Sequence, residues 1–214
     1  MPSVVLSRVG RAHKQRLVDI GKGGSRDVWQ VLANGGIATV CAVVTALVEA
    51  HPVPPYRAFA VWSAAFAGAY AAATADTWGT EIGTLMRGAP RSILTGRPIA
   101  AGLSGGITAW GSAAEVAGAV WIGLCGSILF VPHTVFLPVA FAGLAGALVD
   151  SLLGATLQEL RWCPSCARTC ETNPHVCGSA TTLVRGFRGI SNDAVNFAAT
   201  FTGAATAFFL ALRI

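Results

Sequence analysis

Five long apolar runs with almost no charge constrain this chain more than any other feature. Between Arg97 and Asp150, more than fifty positions, the only Asp, Glu, Lys, Arg or His residues are Glu115 and His133. A soluble domain carries about 25% charged residues; this chain of 214 residues carries 12%, against 53% apolar. No soluble surface is that bare. In hydrocarbon every backbone polar group must be satisfied internally, so such runs become helices, and the lack of period-two alternation excludes barrel strands. The expectation is an all-α polytopic membrane bundle of about five transmembrane helices. Spans are predicted at 28–50, 56–75, 107–131, 134–157 and 194–212, each near the ~20 residues that cross a ~30 Å core. Only Pro132 and His133 separate the third and fourth, which predicts a tight hairpin. The chain thus divides into a basic segment, 1–27, and a transmembrane bundle, 28–214, with a Cys-rich loop over 159–190.

The few cations give the bundle a direction. Arg8, Arg11, Lys14, Arg16, Lys22 and Arg26 precede the first span; Arg87, Arg91 and Arg97 follow the second; Arg161, Arg168, Arg185 and Arg188 follow the fourth. In a five-span chain these all fall on one side, leaving Arg57 and Arg213 for the other. Positive residues stay in the cytoplasm, so the N-terminus is expected there, and the Cys-rich loop with it. The net charge of +5 is explained by this topology and not by a nucleic-acid footprint, since no aromatic-interleaved basic patch occurs. The first 27 residues lack the apolar core of a cleaved signal peptide. Glycines crowd the spans, which lets helix backbones approach closely in lipid.

Ionisable groups in a membrane are costly, so their positions point to function. Asp76 and Glu81 lie near the end of the second span with Thr77 and Thr80; helical spacing puts Asp76 above Thr80 and Thr77 above Glu81. Asp150, followed by Ser151, ends the fourth span, and Asp150, Gly154 and Gln158 read as an i, i+4, i+8 stripe. Asn192, Asp193 and Asn196 open the fifth span, Gln30 and Asn34 the first, and Gly102-Leu-Ser104-Gly105-Gly106 precedes the third. All five groups belong to the face that carries the cations. Asp76–Thr77 and Asp150–Ser151 also echo one another, as repeated halves do.

Asp76, Glu81 and Asp150 with neighbouring amide and hydroxyl oxygens suit Mg²⁺, which binds through one or two carboxylates plus substrate phosphates. Gly-rich turns at helix N-termini offer N–H groups to phosphate, and Arg87, Arg91 and Arg97 are candidates to hold it bidentately. Together these read as a phosphoryl-transfer site at a bilayer surface. Plainer roles stand beside this one: Asp193 with Asn192 as an N-cap, Asp76 or Asp150 in an ion pair with a loop arginine, and Glu115 facing either the site or a neighbouring helix.

Six cysteines divide into Cys41 and Cys125, within spans and read as apolar filler, and four in the 159–190 loop. That loop offers Cys163, Cys166, Cys170, His175 and Cys177 within fifteen residues. A Cys-x2-Cys knuckle with further Cys and His matches tetrahedral Zn²⁺, and a reducing compartment disfavours disulfides. Spacing leaves open whether Cys170 or His175 completes the set with Cys163, Cys166 and Cys177. No open position is evident, so zinc would pin the loop and take no part in catalysis.

Six strings carry a resemblance: 30–35, 75–83, Pro90-Arg91 with Thr95-Gly96, 102–106, 150–158 and 192–196. They resemble an integral-membrane family that includes the plant phytyl-phosphate kinase of tocopherol biosynthesis. The resemblance implies a CTP-dependent kinase that converts an isoprenyl monophosphate to the diphosphate, with Asp76, Thr77, Glu81, Asp150, Asn192, Asp193 and Asn196 as nucleotide, metal or phosphate contacts. It also implies a home in the plasma membrane of a prokaryote, since the Cys-rich loop resembles that of prokaryotic members. Members often carry an additional apolar segment ahead of the basic stretch, which this chain lacks.

The rival class is a small-solute transporter or a lipid-binding scaffold. Its acidic groups would line a path across the bilayer instead of gathering at one face. A CDP-alcohol phosphotransferase would need several aspartates at three- and four-residue spacing on one helix, and no such run occurs. The topology has a direct check: a reporter active only outside the cytoplasm, fused after Ile214, should be active, and silence would refute the five-span orientation.

Overall fold

The computed structural model describes residues 27–51, 56–86, 88–129 and 135–214. The predicted 132–133 hairpin, Arg87 and the basic stretch before Asp27 lie outside the described residues. Five helices dominate: α1 (Val28–Glu49), α2 (Tyr56–Leu85), α3 (Ala109–Leu129), α4 (Phe136–Thr156) and α5 (Asn192–Ala211). All five are long and apolar enough to cross a membrane. The all-α membrane bundle expected from the sequence is therefore the architecture found.

The principal difference lies in α2, which runs for 30 residues where the apolar pattern gave a span ending at residue 75. At about 1.5 Å per residue it is ~45 Å long, well beyond a ~30 Å hydrocarbon core. Its last ten residues, Asp76 to Leu85, are polar enough to break a hydropathy window but keep helical hydrogen bonding. Asp76 and Glu81 consequently sit on a continuing helix and not at its end. Asp150 likewise lies within α4, which continues to Thr156.

Side-chain size is distributed from small inside to large outside. The buried apolar residues are chiefly alanines, among them Ala64, Ala69, Ala71, Ala72 and Ala75 of α2, Ala142 and Ala147 of α4 and Ala204 and Ala207 of α5. Large residues face outward: Ile128 is 80% exposed, Leu137 71% and Phe209 64%. Lipid tails are as apolar as leucine, so burying a leucine gains nothing there; close backbone approach through small residues is what holds helices together. Central α2 packs on each of the other four helices. A Cβ on Gly143 of α4 would come within 2.9 Å of Ala71 and Ala119, and one on Gly146 within 2.8 Å of the Ala199 carbonyl. Polar ties are few. Thr200 Oγ1 of α5 donates to the Ala33 carbonyl of α1 at 3.0 Å, and the Arg57 guanidinium at the start of α2 donates to Leu212 O just past α5.

Among the described residues the connections carry five short strands. β1 (Arg91–Ser92) pairs antiparallel with β2 (Gly106–Ile107), folding the 88–108 connection back on itself. In the Cys-rich loop β3 (Leu160–Cys163) lies between β4 (Arg168–Cys170) and β5 (Thr182–Arg185), all antiparallel. Arg161 is buried in this sheet; its Nε donates to Thr181 Oγ1 at 2.8 Å, and its guanidinium is paired with Glu159. The loop is thus a small folded unit seated on the bundle.

Because α4 touches α2 and α5 backbone to backbone, Gly146→Val should lower stability by about 1–3 kcal/mol, the usual cost of overpacking. Gly36→Ala, where a Cβ meets nothing within 4 Å, should be neutral or better. Thermal unfolding of both variants in detergent checks the contrast.

Candidate functional site

At the end where α1, α3 and α5 begin and α2 and α4 finish lies one cavity of about 610 Å³. Its wall takes Gln30 and Asn34 from the first two turns of α1, Asp76, Thr77, Thr80, Glu81 and Thr84 from α2, Gly111, Ser112 and Glu115 from α3, Asp150 and Ser151 from α4, and Ser191, Asn192 and Asn196 around the start of α5. The 101–108 turn and Glu171 of the Cys-rich loop close it.

Local chemistry explains the helix starts. Asp27 caps α1 by accepting from the Gln30 N–H at 2.9 Å, and Thr108 Oγ1 accepts from the Gly111 N–H at 3.0 Å. The cap of α5 is Ser191, so Asn192 and Asp193 fall inside its first turn; Asp193 there favours the positive end of the helix dipole. Three helix N-termini therefore meet the cavity, and they favour anions. The carboxylates come from the later halves of α2 and α4, whose C-terminal ends favour cations.

Five carboxylates line this wall, those of Asp76, Glu81, Glu115, Asp150 and Glu171, and no Lys or Arg lines it among the described residues. Asp150 Oδ2 is buried without a hydrogen-bond partner. Among the described residues neither Asp76 nor Asp150 is in a salt bridge. A buried carboxylate lacking a cation is costly. The donor set is entirely oxygen and suits a hard divalent cation. Close helix contact makes room for Glu115, since a Cβ on Gly79 would lie 2.7 Å from its Oε1.

Of the residues expected at the site, Asn34, Asp76, Thr77, Thr80, Glu81, Ser104, Gly105, Gly106, Asp150, Ser151, Asn192 and Asn196 are all on the cavity wall. Arg91, Gln158 and Asp193 are not. Arg91 Nη1 donates to the Gly96 carbonyl at 2.9 Å, closing its own hairpin. Gln158 lies past the end of α4, so it does not continue the Asp150–Gly154 stripe. It is buried behind the wall, where its Nε2 donates to Ser104 Oγ at 2.9 Å and to Glu171 Oε2 at 2.8 Å.

Glu171 is a residue that the motif reading missed. Its Oε1 accepts from the Ser104 N–H at 2.8 Å and its Oε2 from Ser104 Oγ at 3.0 Å. Burial pushes its carboxyl above the usual range, against the opposing pull of the Ser104 hydrogen bonds. Gly105 beside it needs to be glycine: its φ is +81°, and a Cβ would lie 2.7 Å from Ala155 Cα of α4. The only sequence signal for Glu171 was an acid next to a cysteine, 67 positions from its partner.

A second group sits in the Cys-rich loop. The ligand atoms of Cys163, Cys166, His175 and Cys177 all lie within 4.8 Å of one another, a group able to hold a metal ion. Cys163 Sγ and Cys177 Sγ are 3.7 Å apart, against an edge of about 3.8 Å for a tetrahedron with Zn–S bonds near 2.3 Å. His175 Nδ1 is 3.1 Å from Cys177 Sγ. Hydrogen bonds from Ser179 and His175 lower the Cys177 thiol to about 5, while the bond to Cys177 raises Cys166 to about 11. These hydrogen bonds thus favour the Cys177 thiolate, the form that binds metal. Cys170 lies outside the group, buried with its Sγ 3.6 Å from the Thr172 carbonyl. The alternative that spacing left open falls to His175.

The fold and this cavity define a polytopic helical membrane protein with a carboxylate-lined cavity at one end of the bundle. Residues 1–204 match a family model described as "Integral membrane protein DUF92", and the chain belongs to that family. It is 31% identical to Protein PGR of Arabidopsis thaliana, over 92% of this chain and 73% of that one. It is 35% identical to an uncharacterized membrane protein of Methanocaldococcus jannaschii, over 73% of this chain and 60% of the archaeal one. No solved structure matches.

The metal group makes a discriminating prediction. Cys170→Ser should retain the bound metal, whereas Cys163→Ser and His175→Ala should each lose most of it. Metal content per chain by atomic emission checks this, and loss of metal from Cys170→Ser would refute the assignment.

Proposed function

We propose that this chain is a membrane-embedded phosphotransferase that converts an isoprenyl monophosphate, phytyl phosphate or a relative, to the diphosphate with CTP as donor. The observation that carries the reading is the cavity wall: five carboxylates, several amides and hydroxyls, three helix N-termini and no Lys or Arg among the described residues. Such a wall attracts phosphate only together with divalent cations, which is how nucleotides are held. The choice of CTP and of an isoprenyl acceptor rests on the motif resemblance.

In this reading Asp76, Glu81 and Asp150 hold Mg²⁺, with Glu115 beside them. When bound, Mg²⁺ neutralises phosphate charge as it shifts between donor and acceptor. Asn192, Asn196, Asn34, Thr77, Thr80 and Ser151 orient the phosphates, and the 104–106 turn offers backbone N–H groups. An oxygen of the acceptor phosphate forms the new bond to the γ-phosphorus. The bond from that phosphorus to the β–γ bridging oxygen breaks, and CDP leaves with the electron pair. The acceptor is already an oxyanion, so no strong general base is needed. The lipid tail lies among the apolar helices.

Under the same proposal the cavity faces the cytoplasm of a prokaryotic cell, where nucleotide is available, and the Cys₃His group holds structural Zn²⁺. A transporter or lipid-binding scaffold fits less well. The buried α2 residues deeper in the bundle are chiefly alanine, including Ala64, Ala65, Ala69, Ala71 and Ala72, and Ser63 is the one polar side chain among them.

Purified chain given Mg²⁺, γ-labelled CTP and phytyl or geranylgeranyl phosphate should yield a labelled diphosphate. Asp76→Asn and Asp150→Asn should each reduce the rate by about 100-fold or more, the scale for loss of one charge-stabilising group. Full activity in both would refute the site, and no labelled product from any isoprenyl phosphate would refute the reaction.

A further inference from the structure

The loop that carries the Cys₃His group also reaches the cavity, and it does so through one side chain. Glu171 follows Cys170 directly and stands between two of the metal-binding residues, five positions after Cys166 and four before His175. A metal held by both closes this stretch into a ring with Glu171 on it. From there its carboxylate accepts three hydrogen bonds: from the Ser104 N–H at 2.8 Å, from Ser104 Oγ at 3.0 Å and from Gln158 Nε2 at 2.8 Å. Both carboxylate oxygens are engaged, so Glu171 is built as a brace and not as a free cation ligand.

The brace holds the Gly102–Gly106 turn. Gly105 rests on Ala155 and Ser104 on Gly154, where a Cβ would be 3.0 Å from the Ser104 Cβ. The Ile93 N–H donates to the Gly105 carbonyl at 3.0 Å, which ties the turn to the β1–β2 hairpin. Arg185 Nη2, from the same Cys-rich unit, donates to the Gly154 carbonyl at 3.1 Å. The turn and its seat on α4 are thus both gripped from the Cys-rich unit. Charge-assisted hydrogen bonds of this kind are about twice as strong as neutral ones.

We propose that Glu171 is a positioning residue through which the metal-bound Cys-rich unit sets the Gly102–Gly106 turn, so that metal in the Cys₃His group and order in the cavity wall are thermodynamically coupled. The coupling adds to the phosphotransferase reading a condition on its phosphate-side turn: the turn is formed when the metal is bound. Coupling is reciprocal, so occupancy of the cavity in turn tightens the metal.

The test uses full-length protein in lipid nanodiscs and hydrogen–deuterium exchange over the 102–106 segment, whose Ser104 amide is donated to Glu171. Removing the metal from the wild-type chain with a high-affinity zinc chelator, loss being verified by metal analysis, should speed exchange there by about tenfold, the effect of losing one charge-assisted hydrogen bond. Re-adding Zn²⁺ should restore protection. Glu171→Gln should keep its metal and show the same faster exchange, and chelation of that variant should add little, the non-additivity of two steps on one route. Unchanged exchange after verified metal loss overturns the proposal. So does chelation that speeds Glu171→Gln as much as wild type. Binding of Mg²⁺ and CTP is measured on the same samples. Coupled exchange without nucleotide binding upholds the brace while refuting the phosphotransferase reading, and nucleotide binding with uncoupled exchange does the reverse.

Discussion

Everything in this structure depends on how closely α2 can approach its neighbours. A helix that meets four others must present a narrow surface in every direction, which explains the run of alanine and glycine from Ala64 to Gly83. In water an all-alanine core would be weak, since each buried alanine removes little apolar area. In lipid the comparison changes, because transfer between lipid and protein interior has almost no hydrophobic component. What remains is dispersion between closely apposed backbones, which falls off steeply with distance. The same strip that packs the bundle also opens its polar end. Ala75, Gly79 and Gly83 follow one face of α2, where Gly118, Glu115 and Gly111 of α3 lie opposite. The space left by Gly79 is the space that Glu115 occupies.

A bundle packed by small residues can be made wide at one end simply by splaying helices that are close at the other. The polar end then has to solve an electrostatic problem. Five carboxylates around one cavity repel one another, and burial makes each more costly. The wall offers no Lys or Arg among the described residues to offset this. Two helix C-terminal ends help a cation and three N-termini help an anion, so the arrangement is most stable when both are present together. A cation alone would leave the N–H groups unused, and an anion alone would meet the carboxylates. That demand for a paired occupant is a physical reason to prefer a metal–phosphate complex over a simple ion.

Much of this was legible in the sequence because both signals are local. Span positions follow from charge-free runs, and Asp76, Thr77, Thr80 and Glu81 follow from helical spacing over a few residues. The convergence at one end follows from counting spans, since alternate connections must share a side. The reading had less success where a contact joins distant segments. Gln158 looked like the next step of a stripe, but α4 ends at Thr156 and the side chain turns to Ser104 and Glu171 instead. Arg91 has the chemistry to hold phosphate, yet hairpin pairing with Ile107 commits it to the Gly96 carbonyl. Glu171 gave no periodic signal because it stands in a loop whose course is set by cysteine ligands. The choice between Cys170 and His175 needed the folded loop, in which the Cys170 thiol turns to the Thr172 carbonyl while His175 comes within reach of Cys163, Cys166 and Cys177.

The two donor sets favour different metals. Cys163, Cys166, Cys177 and His175 offer soft sulfur and imidazole, which select Zn²⁺ or a similar ion and bind Mg²⁺ poorly. The cavity offers only carboxylate, amide and hydroxyl oxygen, which suits Mg²⁺ and keeps room for waters and phosphate. Neighbouring residues of one loop thus serve different chemistries: Cys170 packs inward as a buried thiol, raised above its ordinary range by burial, and Glu171 turns to the membrane bundle. An exchange of ions between the sites is opposed at both ends, because thiolates forfeit covalency with Mg²⁺ and a hydrated, shape-changing oxygen site forfeits the closed tetrahedron that Zn²⁺ favours. Under the proposed function the Cys-rich unit holds its metal as structure while the cavity exchanges its cation with each phosphate it binds.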